Sequence, residues 1–129
     1  MSNPPVISII DDDVSVRTAT YNLVRSLGYA VRTYASAEEF LRSPDLNDTS
    51  CVIADVRMPA MSGLELQAHL IADGRHFPFI FITAFSVESD RARALKAGAV
   101  CFLIKPFDGD VLMTCLDAAL VVRGTATNE

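Results

Sequence analysis

The amino-acid sequence predicts an α/β domain in which a doubly wound, five-stranded parallel sheet has helices on both faces. Five short apolar runs alternate with segments whose apolar residues have helical spacing. Apolar runs of this kind are typical of strands buried on both faces of a parallel sheet. Strand–helix alternation favours the right-handed crossovers that build such a sheet. At 129 residues, of which 50% are apolar, the chain can form one domain with a substantial core.

The predicted elements follow in a regular order, and several of their ends carry recognisable signals. We predict strands at 6–10, 30–34, 51–54, 79–83 and 100–104, and helices at 14–27, 36–42, 63–72, 87–97 and after 108. Gly28 and Gly98 follow the first and fourth helices, where glycine is common. Ser36 begins a capping-box pattern, and Asp108 caps the fifth helix. We assign residues 1–123 to one domain and 124–129 to a polar tail.

Charge, hydropathy and cysteine content indicate which kinds of partner and which cellular location the sequence favours. The net charge of −5 argues against nucleic acid as a direct partner of this domain. The longest apolar stretch, residues 77–85, is too short to span a bilayer, and the N-terminus does not resemble a signal peptide. Cys51, Cys101 and Cys115 form no C-x-x-C motif, so we interpret them as three reduced, buried cysteines of a cytoplasmic protein.

Charged and polar residues stand where four of the apolar runs end. Asp11 and Asp12 follow the first run, Asp55 the third, and Lys105 the fifth, while Thr83 ends the fourth. The carboxyl ends of parallel strands lie together, and binding sites of this architecture form there. We therefore expect these five side chains to share one pocket. Neighbouring carboxylates repel one another unless a cation lies among them, and Mg²⁺ suits both carboxylate and phosphate oxygens.

Each candidate also has a plainer interpretation. Asp13 completes the acidic run and is best explained by the positive end of the first helix. Asp55 alone would be a turn residue, but beside the other acids and Lys105 it is the best nucleophile candidate, because carboxylates form aspartyl-phosphates where metal and amine neutralise the incoming charge. Thr83 alone would be an ordinary strand residue, yet at this edge its hydroxyl could donate to a phosphoryl oxygen. Lys105 follows apolar residues and needs an acidic partner.

Three other features contribute less. His69 and His76 have no second ligand at metal spacing, so we assign no zinc site. No Gly-rich phosphate loop of the dinucleotide-binding or Walker type is present, so nucleotide binding is not predicted. Pro106 directly follows Lys105, and a cis peptide bond there would form a constrained turn that aims the lysine.

Four motifs together resemble the receiver domain of two-component response regulators. They are Ile-Ile-Asp11-Asp12, Ala-Asp55-Val-Arg-Met-Pro-Ala-Met-Ser-Gly63, Ile-Thr83-Ala and Lys105-Pro-Phe107. Each motif is weak alone, but the set occurs in the right order and spacing over residues 6–122. The Met-Pro-x-Met-Ser-Gly loop and the Lys-Ala-Gly-Ala-Val segment are most similar to receivers of the nitrogen-fixation regulator type.

The resemblance implies a flavodoxin-like sheet of strand order 2-1-3-4-5 and a phosphorylation site. By matching position, Asp55 would be the phosphoacceptor and a Mg²⁺ ligand. Asp12 would be a direct Mg²⁺ ligand and Asp11 a ligand mainly through water. The backbone carbonyl of Arg57, two residues after the acceptor, would complete the protein ligands.

The resemblance also implies a switch. Thr83 and Lys105 would hold the phosphoryl oxygens, and Phe102 matches an aromatic position whose ring turns inward when the threonine moves to the phosphate. The family uses the face formed by helix four, strand five and helix five for dimers and partners. Phe85, Cys101 and Ile104 place apolar residues on or near this face. An exposed apolar face would favour association, and a tightly packed edge of the core is the alternative interpretation.

Three functions compete at this stage. The first is a signalling switch that accepts phosphate from a sensor histidine kinase and catalyses only its own phosphorylation and dephosphorylation. The second is a phosphatase-like enzyme, which would need a further acid and a lid that the sequence does not show. The third is a receiver-like module without phosphorylation, which the complete acceptor set disfavours. A stand-alone receiver and part of a longer transcription regulator are both compatible with the sequence.

Overall fold

Five parallel strands form one sheet in the order β2-β1-β3-β4-β5 in this computed structural model, which describes residues 4–128, with side chains described through residue 121. The strands are β1 (Val6–Ile10), β2 (Ala30–Tyr34), β3 (Cys51–Asp55), β4 (Phe79–Thr83) and β5 (Cys101–Ile104). The helices are α1 (Val14–Ser26), α2 (Ala37–Leu41), α3 (Gly63–Ala72), α4 (Glu88–Lys96) and α5 (Gly109–Asn128), with a 3₁₀ turn at Leu46–Asp48. The predicted fold class and strand order are confirmed.

Alternate residues of each strand pack into two separate cores. Phe79 and Phe81 of β4 belong to the core that α2, α3 and α4 cover, whereas Ile80 and Ile82 belong to the core under α1 and α5. The helical residues of the two cores include Phe40, Leu66, Leu70 and Ala94 on one side and Val24, Leu112 and Leu116 on the other. Because both faces are covered, apolar residues occur consecutively along the central strands.

Local signals explain where several helices begin and end. The Asp13 carboxylate accepts hydrogen bonds from the first turn of α1 and so caps the helix, which agrees with its assignment to the positive end of this helix. Gly28 and Gly98 follow α1 and α4 with positive φ angles of 97° and 103°. Ser62 and Glu65 form a reciprocal capping box at the start of α3. These residues mark the starts of α1 and α3 and the ends of α1 and α4.

The last helix is longer than the sequence predicts. α5 continues to Asn128, through most of the segment expected to be a polar tail, and Glu129 lies outside the described residues. The division into residues 1–123 and 124–129 remains a prediction. Within residues 4–128, no helix combines the length and hydropathy needed to cross a bilayer.

Two of the cysteines are joined, which corrects the interpretation of all three as reduced. Cys101 of β5 and Cys115 of α5 form a disulfide with their Cα atoms 6.1 Å apart, whereas Cys51 is buried in β3. No sequence motif predicts this pair, because the two residues are 14 positions apart and only the packing of α5 against β5 brings them together.

Gly63 allows α3 to begin directly against the end of β3. A Cβ atom at this position would collide with the backbone oxygen of Asp55 and would lie 3.1 Å from the ring of Phe81. The Gly63 N–H donates to the carbonyl of Val56 at 3.0 Å, which holds the two segments together. A side chain here would therefore have to move the backbone of Asp55.

We predict that Gly63→Ala lowers the free energy of unfolding by about 1–3 kcal/mol, because the added methyl group overpacks a buried backbone contact. Urea unfolding measures this loss. Gly109→Ala is the matched control, since its Cβ would meet only the side chain of Leu23, at 3.2 Å. Equal losses in the two variants would contradict a special role for the contact between Gly63 and Asp55.

Candidate functional site

The carboxyl ends of β1, β3 and β5 bring acids and an amine together. The Lys105 ammonium lies 3.2 Å from Asp55 Oδ2, across 50 positions of sequence, and 3.7 Å from Asp11 Oδ2. One carboxylate oxygen from each of Asp11, Asp12 and Asp55 lies within 4.8 Å of the others. The structure therefore groups four of the five side chains expected to share a pocket.

Sheet register explains why Lys105 reaches these acids. Thr83 pairs with Ile104, and Asp55 pairs with Ile82, so strands β3, β4 and β5 end at nearly the same level. The Lys105 N–H donates to the Thr83 carbonyl at 2.8 Å, which extends the ladder by one residue. The following peptide bond, Lys105–Pro106, is cis.

Asp11 is the most deeply buried acid of the site. Its side chain is fully buried, and Oδ1 accepts the Asp13 N–H at 2.9 Å. Oδ2 has no hydrogen-bond donor in the described part of the chain, although Lys105 lies within ion-pair distance. The pKa of Asp11 is raised to about 6, chiefly by burial and further by the charges of Asp55 and Asp12, against the opposing effects of the Asp13 N–H and Lys105.

These features fit a divalent cation with a preference for oxygen ligands. A buried carboxylate oxygen without a donor has an unused lone pair, and two further carboxylates stand within reach. Mg²⁺ takes one or two protein carboxylates and fills its other positions with water and phosphate oxygens. The donor set of Asp11, Asp12 and Asp55 is therefore chemically suited to Mg²⁺.

The loop after β3 is tied to both Asp55 and α4. Asp55 Oδ1 accepts the Arg57 N–H at 3.0 Å, which orients the carboxylate. The Arg57 guanidinium donates to Asp90 Oδ2 of α4 at 2.9 Å. The backbone N–H and the guanidinium of Arg57 are thus both hydrogen-bonded. These two hydrogen bonds hold the backbone that follows Asp55 in place beside the acids.

Thr83 lies at the same edge, but its hydroxyl is directed to its own loop. Oγ1 donates to the Phe85 carbonyl at 2.9 Å and accepts the Phe85 N–H at 3.2 Å. Phe102 is half-buried, with its ring centroid 6.4 Å from that of Phe81. In this conformation, therefore, the hydroxyl of Thr83 is engaged by the β4–α4 loop.

A family model described as the response regulator receiver domain matches residues 7–117. The chain belongs to this family. Nodulation protein W of Bradyrhizobium diazoefficiens is 41% identical over 118 residues, covering 92% of this chain and 52% of the relative. The response regulator protein TodT of Pseudomonas putida is 44% identical, with 89% and 51% covered. The chain thus spans about half the length of these relatives.

Solved receiver structures share the fold. The crystal structure titled FixJ-N superposes with a TM-score of 0.82 at 33% identity, covering 93% of this chain and 95% of that one. The resemblance that the four motifs indicated is therefore confirmed. Phosphorylation-dependent switching in two-component systems is the standard role of receiver domains, which are signalling modules rather than classical enzymes.

Sequence reasoning missed several residues that shape this receiver site. Asp90 had no signal, because its contact with Arg57 spans 33 positions. Arg17 donates to the Asp11 carbonyl at 2.7 Å from one turn into α1, which the sequence also did not indicate. The capping box of Ser62 and its glutamate partner could have been found, since its S-x-x-E spacing is visible in the sequence.

The apolar face expected beside the site is only partly exposed. Phe85 is 74% exposed and Ile104 is 48% exposed, whereas Cys101 is half-buried and bonded to Cys115. Cys101 therefore does not contribute a reduced thiol to this face. The two expected non-ligands, His69 and His76, are exposed.

The raised pKa of Asp11 gives a pH prediction for the metal-free protein. Between the ordinary pKa of 3.8 and about 6, the folded state keeps a proton on Asp11 that the unfolded state has lost. Protonation of Asp11 therefore adds to the free energy of unfolding. This contribution, about 2–3 kcal/mol in total, is complete below pH 3.8 and is lost as pH rises through 6. Urea unfolding of the wild type and Asp11→Asn between pH 4 and pH 8 measures it.

Asp11→Asn should lose the part of the pH dependence of stability that comes from Asp11. Its free energy of unfolding relative to that of the wild type should therefore rise with pH. Glu88→Gln removes a carboxylate that is 79% exposed and serves as the matched control. Parallel stability curves for the wild type and Asp11→Asn would contradict the assignment.

Proposed function

We propose that this chain is a signalling switch that accepts a phosphoryl group on Asp55 from a sensor histidine kinase. The observation that carries the proposal is the 3.2 Å contact between Lys105 Nζ and Asp55 Oδ2 beside the buried carboxylate of Asp11. A cation and clustered acids at one strand edge suit the transfer of a dianionic group to a carboxylate. The side chain of Asp55 is 12% exposed, so an incoming donor can reach it from solvent.

The chemistry follows from the charges of this site. A carboxylate oxygen of Asp55 attacks the phosphorus of a phosphohistidine, and the P–N bond breaks as the new P–O bond forms. Lys105 neutralises part of the charge on the transferred oxygens. Its present partner, Asp55 Oδ2, would then share the ammonium with a phosphoryl oxygen. Self-dephosphorylation would use the same groups with water as the nucleophile.

Mg²⁺ is the cofactor that we propose for this step. Asp11, Asp12, Asp55 and the backbone carbonyl of Arg57 would hold it, and when bound it neutralises the phosphoryl oxygens during transfer. The donor-free Oδ2 of Asp11 supports this ligand set, because the oxygen is buried and has no competing hydrogen bond. Arg57 supports it as well, since its N–H and side chain are both anchored.

The switch would operate through Thr83 and Phe102. A phosphoryl group on Asp55 offers Thr83 Oγ1 a charged acceptor, and charge-assisted hydrogen bonds are stronger than neutral ones. If the Thr83 hydroxyl donated to this acceptor, both hydrogen bonds between Thr83 and Phe85 would break, which would release the β4–α4 loop. The half-buried ring of Phe102 could then turn further inward beside Phe81. Phosphorylation would thereby shift the equilibrium between two arrangements of the face formed by α4, β5 and α5.

We further propose that α4, β5 and α5 form the face that reads this change, as a phosphorylation-dependent homodimer. Phe85, at the start of this face, and Ile104 already expose apolar surface. The domain itself is proposed to bind neither nucleic acid nor membrane directly. A cytoplasmic location and a place within a longer transcription regulator stay predictions of the sequence and its relatives.

Asp55 should be the only residue that acetyl phosphate labels. In the presence of Mg²⁺ the wild type should gain roughly 80 Da, the mass of one phosphoryl group, and Asp55→Asn should gain nothing, because an amide is a poor nucleophile. Intact-mass spectrometry measures the gain, and a chelator should prevent it. Asp45→Asn, which removes a carboxylate that is 51% exposed, is the matched control.

Persistent labelling of Asp55→Asn would reject the assignment. Catalytic hydrolysis of acetyl phosphate without a lasting label would favour the phosphatase-like enzyme. The complete absence of labelling in the wild type would favour a module that binds partners without phosphorylation.

Thr83→Ala should still accept phosphate at Asp55 but should lose the associated change in assembly. Removing the hydroxyl abolishes the hydrogen bonds that connect the site to the loop at Phe85. Sedimentation with and without beryllofluoride, a phosphoryl mimic, compares the wild type with this variant. Thr18→Ala, at an exposed position of α1, is the control. If Thr83→Ala associates as the wild type does, the coupling does not pass through this hydroxyl.

A further inference from the structure

The disulfide between Cys101 and Cys115 joins the edge strand of the sheet to α5. β5 has four residues and lies at the edge of the sheet beside β4, and its Cys101 and Leu103 pack against the core that includes Leu112 and Cys115 of α5. Cys115 lies between Leu112 and Leu116 along α5, in the core that this helix forms with α1. The covalent link therefore spans the boundary between an edge strand and its covering helix.

The two cysteine residues differ in their exposure to solvent. The Cys101 side chain is half-buried at the edge of the sheet, whereas Cys115 is 5% exposed. Cys101 is therefore the more accessible of the two to a small reagent, and Cys115 is placed to react with an adduct formed on Cys101. A more accessible thiol beside a resolving cysteine is an arrangement that suits thiol–disulfide exchange.

We propose that Cys101 and Cys115 form a reversible thiol–disulfide site that reacts with low-molecular-weight disulfides. The Cys101 thiolate attacks one sulfur of the reagent, which forms a mixed disulfide and releases one thiol. The Cys115 thiolate then attacks the Cys101 sulfur and releases the second thiol. Two protein thiols are oxidised and one reagent disulfide is reduced to two thiols, which carry away the two protons.

Packing supports reversibility, because α5 makes apolar contacts with the sheet through residues other than the cysteines. Leu112, Leu116 and Ala119 of α5 are fully buried against the sheet, independently of the cysteines. Reduced cysteines behave as small hydrophobic residues, and both positions already lie in or against this apolar core. The folded state can therefore accommodate the dithiol and the disulfide.

The location of the bond connects this chemistry to the site at the strand ends. The ring closed by Cys101 and Cys115 contains Phe102 and Lys105, so oxidation tethers the segment that carries the amine in contact with Asp55. Closing the ring restricts the conformations of this segment, most strongly in the unfolded chain. The oxidised protein should therefore unfold at a higher temperature than the reduced protein.

The first experiment measures the exchange itself on the full chain. Reduced protein is incubated with oxidised glutathione and analysed by intact mass. The wild type should lose about 2 Da, the mass of two hydrogens, and dithiothreitol should restore it under native conditions. Cys115→Ala should instead hold one glutathione adduct of roughly 305 Da on Cys101, because no partner resolves it. Cys101→Ala should be labelled far more slowly, and Cys51→Ala should behave as the wild type.

The second experiment measures thermal unfolding of the oxidised and reduced forms. The wild type should melt higher when oxidised, and the double variant Cys101→Ala/Cys115→Ala should melt at the same temperature with and without oxidant. Three results would overturn the proposal: stable glutathione adducts on the wild type, a disulfide that resists dithiothreitol in the folded protein, or loss of the internal disulfide in Cys51→Ala.

Discussion

The burial of the Asp11 carboxylate beside Asp55 is the constraint on which the rest of the site depends. Removing a carboxylate from water is unfavourable, and a second acid nearby makes ionisation more costly still. The raised pKa of Asp11 expresses this cost directly. Lys105 supplies the opposing charge within 3.7 Å of both acids. The end of β5 must therefore lie level with the ends of β1 and β3, so that Lys105 reaches their acids across β4, and sheet register provides that position.

The same arrangement connects the site to the elements around it. Gly63 brings α3 against the backbone of Asp55, and Arg57 extends from the Asp55 carboxylate to α4. Thr83 holds the loop that leads into α4. A change of charge on Asp55 therefore occurs next to a hydrogen-bonded connection to α4, a close backbone contact with α3 and the loop held by Thr83. This is the physical form of a switch, in which a local electrostatic event biases the packing of a larger element.

The two faces of the sheet carry different features of the molecule. The core under α2, α3 and α4 includes Phe81, and the ring of Phe102 packs beside it. A rearrangement of Phe102 would therefore change the packing of this core. The opposite core, under α1 and α5, contains Cys115, with Cys101 packed against it. β5 contributes alternate residues to both cores, and Lys105 follows directly from it. This short edge strand is therefore the element through which the amine, the aromatic residue and the disulfide are mechanically related.

The sequence by itself determined the fold class, the order of elements and most of the acidic site. This was possible because parallel strands have a distinctive apolar pattern and their carboxyl ends must converge, so Asp11, Asp55 and Lys105 could be grouped without coordinates. Only the tertiary structure decided the direction of the Thr83 hydroxyl and the pairing of Cys101 with Cys115. Such contacts depend on side-chain rotamers and on how a helix packs across a strand, and linear spacing carries neither.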